Sequence, residues 1–83
     1  MKNKALKKLV NIFSQIQTDR EMENFLAGLL TEQEIEDWGR RIEIIKMLKQ
    51  GVGQHEIAAK LGVGVATVTR GSKEIQEGNF QNI

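Results

Sequence analysis

The sequence is as informative in what it lacks as in what it holds. It has no cysteine, so disulfides and thiolate chemistry are excluded. It has a single histidine, His55, so a zinc site would have to rest mainly on carboxylates, an uncommon donor set. Proline is absent, and aromatics are limited to Phe13, Phe25, Trp38 and Phe80. No apolar run approaches the roughly 20 residues that span a bilayer. The opening MKNKALKKLV is basic, but polar residues interrupt its apolar positions, so it is not expected to act as a signal peptide. A chain of 83 residues has room for one small domain, and a single domain over 1–83 is expected. With 40% hydrophobic and 28% charged residues, the composition is that of a folded soluble protein rather than a disordered one. A cytoplasmic location is the corresponding expectation.

The net charge of +1 conceals segregation along the chain. Residues 1–18 carry four lysines and no acid. Residues 19–37 carry seven acids against Arg20, and residues 46–73 carry five basic residues against Glu56. A basic C-terminal half points to an anionic partner. Ordinary solvated helix faces explain the charge equally well.

The hydrophobic pattern is helical throughout, with no alternating strand pattern, so the fold class is all-α. Leu6, Leu9, Val10, Phe13 and Ile16 form one stripe, and Met22, Phe25, Leu26, Leu29 and Leu30 a second. A third and broader stripe runs through Ile35, Trp38, Ile42, Ile45 and Leu48, with Ile44 and Met47 beside it. Thr18 with Glu21, and Thr31 with Glu34, have the capping-box spacing that opens a helix. Lys46 and Lys49 suit a helix C-terminus, and Gly51 a stop. Residues 78–83 read as a frayed tail. The strings Gly51-Val52-Gly53 and Gly62-Val63-Gly64 have different flanks and do not read as a repeat. Neither is a dinucleotide fingerprint, since no strand precedes them. Three amphipathic helices carry more apolar face than one small monomer can cover, so a two-fold homodimer is expected, with residues 1–50 as the dimerisation core.

The stretch QHEIAAKLGVGVATVTRGSKEI, residues 54–75, carries the chemistry. Ile57 and Leu61 face inward on a first short helix, Ala58 admits a close crossing, and Gly62 takes the tight corner. Val63 plugs the turn, and Val68 anchors a second helix. This is helix-turn-helix spacing, assigned to residues 54–76; a plain helical hairpin is the bland alternative. On the second helix Ala66, Thr67, Thr69, Arg70 and Lys73 are small, hydroxylic or basic. Such side chains let a helix lie deep in a DNA major groove, touching thymine methyls and phosphates.

Residues 26–76 resemble the tryptophan repressor family, most specifically at Leu30-Thr31, Arg41 and the run Ala66-Thr67-Val68-Thr69-Arg70-Gly71-Ser72. That family is itself a type example of helix-turn-helix docking. The resemblance implies an intertwined homodimer acting as a repressor on double-stranded DNA, with L-tryptophan as corepressor between core and reading head. It implies that Arg41 and Arg70 sandwich the indole and hold the carboxylate, as guanidinium planes can. Leu30, Thr31 and Gly71 match further pocket positions, and Glu74 falls near the ligand amino group. On the DNA side, Val65, Ala66, Thr67 and Thr69 match base-reading positions. Gln54, His55, Gly64 and Lys73 match backbone-contacting or nearby ones. The bland readings are a salt bridge for Arg41, a phosphate contact without ligand for Arg70, and a core or dimer-interface role for Trp38. A ligand-independent DNA-binding protein of the same fold remains an alternative, as does a helical protein-interaction module. Ser14, Ser72 and His55 lie in no catalytic motif, so an enzyme is not expected.

Overall fold

The computed structural model describes residues 3–83, and they divide into two compact units, 3–35 and 36–83, with the boundary inside the third helix. Five helices follow in order among the described residues: α1 (Lys4–Gln15), α2 (Asp19–Leu29), α3 (Glu32–Lys49), α4 (Gln54–Leu61) and α5 (Val65–Gln76). There is no strand among the described residues.

Each helix start in the first unit has a side-chain cap. The Asn3 Oδ1 accepts from the backbone N–H groups of Ala5 and Leu6, at 2.9 and 3.2 Å. Thr18 caps α2 through the Glu21 N–H at 3.1 Å, while the Glu21 carboxylate accepts from the Gln17 N–H. At α3 the box is reciprocal: Thr31 Oγ1 accepts from Glu34 N–H, and Glu34 Oε1 from Thr31 N–H. These bonds satisfy amides that have no partner within the helix. Within this unit Phe13 of α1 meets Phe25 of α2 edge to face, centroids 5.4 Å apart, an arrangement the ring quadrupoles favour. Neither α1 nor α2 buries a residue fully. Leu6 and Val10 are 55% and 56% exposed.

The core lies in the second unit. Ile57 of α4 and Val68 of α5 are wholly buried against Ile44 and Met47 of α3, with Leu48, Val52, Ala58, Leu61 and Val63 packed around them. The broad stripe of α3 is therefore only partly used. Its buried centre is Ile44, Ile45 and Met47, whereas Ile35, Trp38 and Ile42 remain exposed. The face that turns inward is the one on which the two short helices close.

The two Gly-Val-Gly strings, unlike in their flanks, build the same corner. Gly51 and Gly62 both take positive φ (88° and 68°), which lets a glycine end a helix without a Cβ clash. The valine N–H then reaches back to the carbonyl of Met47 in one case and Ala58 in the other, each at 3.1 Å. Val52 and Val63 both pack on the core, and Gly53 and Gly64 return to extended backbone as N-caps of α4 and α5. Conformation and burial make the two corners equivalent, which the flanking residues conceal.

Residues 78–83 are not frayed. Gly78, at φ 94°, ends α5 with the same pattern: Asn79 N–H donates to Glu74 carbonyl and Gly78 N–H to Ile75 carbonyl. Lys49 Nζ then donates to the carbonyls of Phe80 and Ile83.

Candidate nucleic-acid interface and ligand groove

Helix α5 has an inner face and an outer one. Val68 and the half-buried Gly71 and Ile75 face inward; Val65, Ala66, Thr67, Thr69, Arg70 and Lys73 are exposed. Gly71 is where α5 lies closest to α3: a Cβ there would sit 3.2 Å from Ile45 Cδ1 and 3.4 Å from Ile44 Cγ2 and Leu48 Cδ1. The corner at Gly62 and the anchor at Val68 thus fix which side of α5 faces outward.

Gln54, the first residue of α4, meets this face directly. Its Oε1 accepts from the Thr69 hydroxyl at 2.7 Å. His55 is exposed on the same first turn, and Gly64 is exposed at the start of α5. Neither Gly53 nor Gly64 offers a side-chain cap. The first-turn amides of α4 and α5 therefore receive no acceptor from their N-cap side chains, and such amides suit anionic oxygens. Lys60, Arg70 and Lys73 add positive charge on these helices, and none has an ion-pair partner among the described residues.

A groove of about 710 Å³ opens beside this face. Helix α3 lines it with Trp38, Arg41, Ile42, Ile44 and Ile45, and α5 with Thr67, Arg70, Gly71 and Glu74. The turns after α5 complete it with Asn79 and Phe80. It is open to solvent along one side, and its lining mixes apolar wall with a few charged groups. The salt bridge of this stretch of α3 joins Arg40 to Asp37 at 2.9 Å. Arg41 and Arg70 have no hydrogen-bond or ion-pair partner among the described residues, and Glu74 accepts from the Asn79 amide at 2.7 Å. Arg41 and Thr67 also border a more polar groove beside the Gly62 corner, shared with Asp37 and Arg40.

The structure thus gathers Arg41, Arg70, Gly71 and Glu74 into one groove. Leu30 and Thr31 belong to the first unit, where Leu30 follows α2 and Thr31 caps α3. Sequence reasoning missed Trp38, Asn79 and Phe80 as groove residues. Trp38 had a signal, since it precedes Arg41 by three positions and shares its helix face. No group of His, Cys, Asp and Glu able to hold a metal ion gathers among the described residues. No described helix is long and apolar enough to cross a membrane.

A buried two-helix corner that turns a small, hydroxylic and basic helix face outward defines a DNA-binding regulator of the helix-turn-helix class. The comparisons specify it further: the model of the Trp repressor protein family matches residues 4–82, and the chain belongs to that family. It is 32% identical over 82 residues to a Trp operon repressor homolog of Xylella fastidiosa, covering 98% of this chain and 89% of that protein. A Trp operon repressor homolog of Vibrio campbellii is 34% identical over 74 residues, covering 88% and 74%. The uncharacterized protein YerC of Bacillus subtilis is 29% identical over 79 residues, covering 95% and 76%. No solved structure matches the chain. The family is one of DNA-binding regulators, not of enzymes.

Proposed function

We propose that this chain is a sequence-specific, homodimeric repressor of transcription in the cytoplasm, with L-tryptophan as corepressor. Residues 54–76 form the reading head, and residues 1–50 form the dimerisation core. The observation that carries the reading is the outward face of α5, held by Val68 at 0% exposure. Val65, Ala66, Thr67 and Thr69 read base edges in the major groove, while Arg70, Lys73, Gln54, His55 and Gly64 meet the phosphate backbone or lie beside it. Dimerisation is supported by the uncovered stripe of α1, where Leu6, Leu9 and Val10 are all exposed. Two-fold symmetry then asks for a pseudo-palindromic operator with half-sites about one helical turn apart.

For the ligand, the guanidiniums of Arg41 and Arg70, unpaired among the described residues, supply planar stacking surfaces and carboxylate donors, and Glu74 supplies an ammonium acceptor. Leu30 and Thr31 are further ligand positions in this reading. Gel-shift titration with a randomised operator pool, with and without L-tryptophan, tests it. Selection of a two-fold-symmetric site, bound more tightly with ligand, supports the reading; equal affinity for all sequences sinks it. Sedimentation of Val10→Glu tests the dimer, with a shift toward monomer expected.

A second reading, ligand-independent DNA binding by the same fold, is favoured by Phe80 and Asn79, which border the groove from within the chain. Calorimetry with L-tryptophan separates the two. Saturation near one ligand per subunit supports the corepressor, and no heat supports the ligand-independent form.

A further inference from the structure

We propose that residues 78–83 form a strap along one wall of the groove between α3 and α5, so that a ligand reaches Glu74 by displacing the chain's own Asn79 and the adjoining Phe80. The inference rests on the reading that the groove takes an aromatic amino acid, and it specifies how that ligand competes.

Three observations converge on the strap. Phe80 and Asn79 border the same groove as Trp38, Arg41 and Arg70. The strap is tied down at separate points: Lys49 Nζ donates to the Phe80 and Ile83 carbonyls, and Asn79 Nδ2 donates to Glu74 Oε1 at 2.7 Å. Phe80 also holds φ at 64°, the sole positive φ of a non-glycine residue among those described. An L-residue with a bulky side chain adopts that conformation only at a cost, which the ties offset.

What the strap offers the groove is chemically specific. It brings a phenylalanine, 37% exposed, to the border of the groove and an N–H donor that engages the Glu74 carboxylate. An aromatic amino acid presents the same pair as its ring and its ammonium group. The strap brings no acidic side chain, and Arg41 and Arg70 stay without partners among the described residues. The ligand that displaces it is therefore one that adds a carboxylate to the ring and the ammonium. An aromatic amine lacking the carboxylate has no such advantage. A strap closed about nine times in ten would lower the apparent affinity about tenfold, by population alone.

The test compares the wild type with Phe80→Ala and Lys49→Gln, each checked for unchanged helical circular dichroism. Trp38 is the sole tryptophan, so acrylamide quenching of its fluorescence reports strap closure without any ligand. Quenching is expected to rise in both variants; equal quenching in all three proteins overturns the strap. Calorimetry with L-tryptophan is expected to show about tenfold tighter binding to Phe80→Ala, with tryptamine binding weakly to both. Increased quenching without uptake of L-tryptophan by any of the three upholds the strap and removes the amino-acid reading. Unchanged quenching with equal uptake by all three removes the strap and leaves that reading in place.

Discussion

Thr69 and Gln54 are joined across the helix-turn-helix: the hydroxyl on the exposed face of α5 donates to the amide oxygen at the first residue of α4, at 2.7 Å. The bond sets the opening of one helix against the middle of the other, so that both present to one surface. An exposed hydrogen bond of this kind contributes little to stability, about 1 kcal/mol at most. Thr69→Val is therefore expected to leave the urea midpoint nearly unchanged while weakening operator binding by about tenfold or more, the range of one lost base-edge contact. Parallel denaturation and gel-shift titrations check the split.

The Gly62 corner separates conformation from space. A Cβ at Gly62 meets nothing within 4 Å, yet φ is 68° there; at Gly64 the space is equally open and φ is −71°. Gly62→Ala is expected to lose about 1–2 kcal/mol from the left-handed backbone alone. Gly64→Ala is expected to change stability by less than about 1 kcal/mol, because reduced chain freedom and a poorer N-cap oppose one another. Urea titrations at one fixed protein concentration measure both.

Gly71 is limited by space instead. With Ile45 Cδ1 3.2 Å from the position of its Cβ, Gly71→Val is expected to cost about 1–3 kcal/mol by overpacking. The groove should narrow as well, because Ile44 and Ile45 also line it. A drop in urea midpoint together with weakened ligand uptake is the expected pair of results.

The two guanidiniums are expected to part company on substitution. Arg41 belongs to α3 and Arg70 to the exposed face of α5. Arg41→Gln should abolish the effect of L-tryptophan on operator binding and leave ligand-free DNA affinity within about threefold. Arg70→Gln should reduce both, since a phosphate contact is lost with the ligand contact. Gel shifts with and without ligand distinguish the two patterns.

Much of the fold was legible because its signals are local. The capping boxes at Thr18 and Thr31 and the helix stop at Gly51 need only a few neighbouring residues. The reading head at 54–76 was legible for a related reason: Ile57, Gly62 and Val68 sit at spacings that one compact corner requires. The strap was not legible. Its tie from Lys49 to Phe80 spans 31 positions, and no residue pattern announces a phenylalanine at positive φ. The shared design of the two Gly-Val-Gly corners was hidden because it lies in backbone angles and core packing, not in the flanking residues. The place of Trp38 on the groove was not legible, because an apolar stripe on a helix does not say which of its members the neighbouring helices will cover.

Everything rests on the outward face of α5 lying against DNA, and the salt dependence of operator affinity tests that most directly. Measured by fluorescence anisotropy from low to physiological salt, log affinity is expected to fall linearly with log salt. The slope should shrink by about one for each phosphate contact removed, as by Lys73→Ala or Arg70→Gln. An affinity indifferent to salt, or a slope that neither substitution alters, would contradict the account.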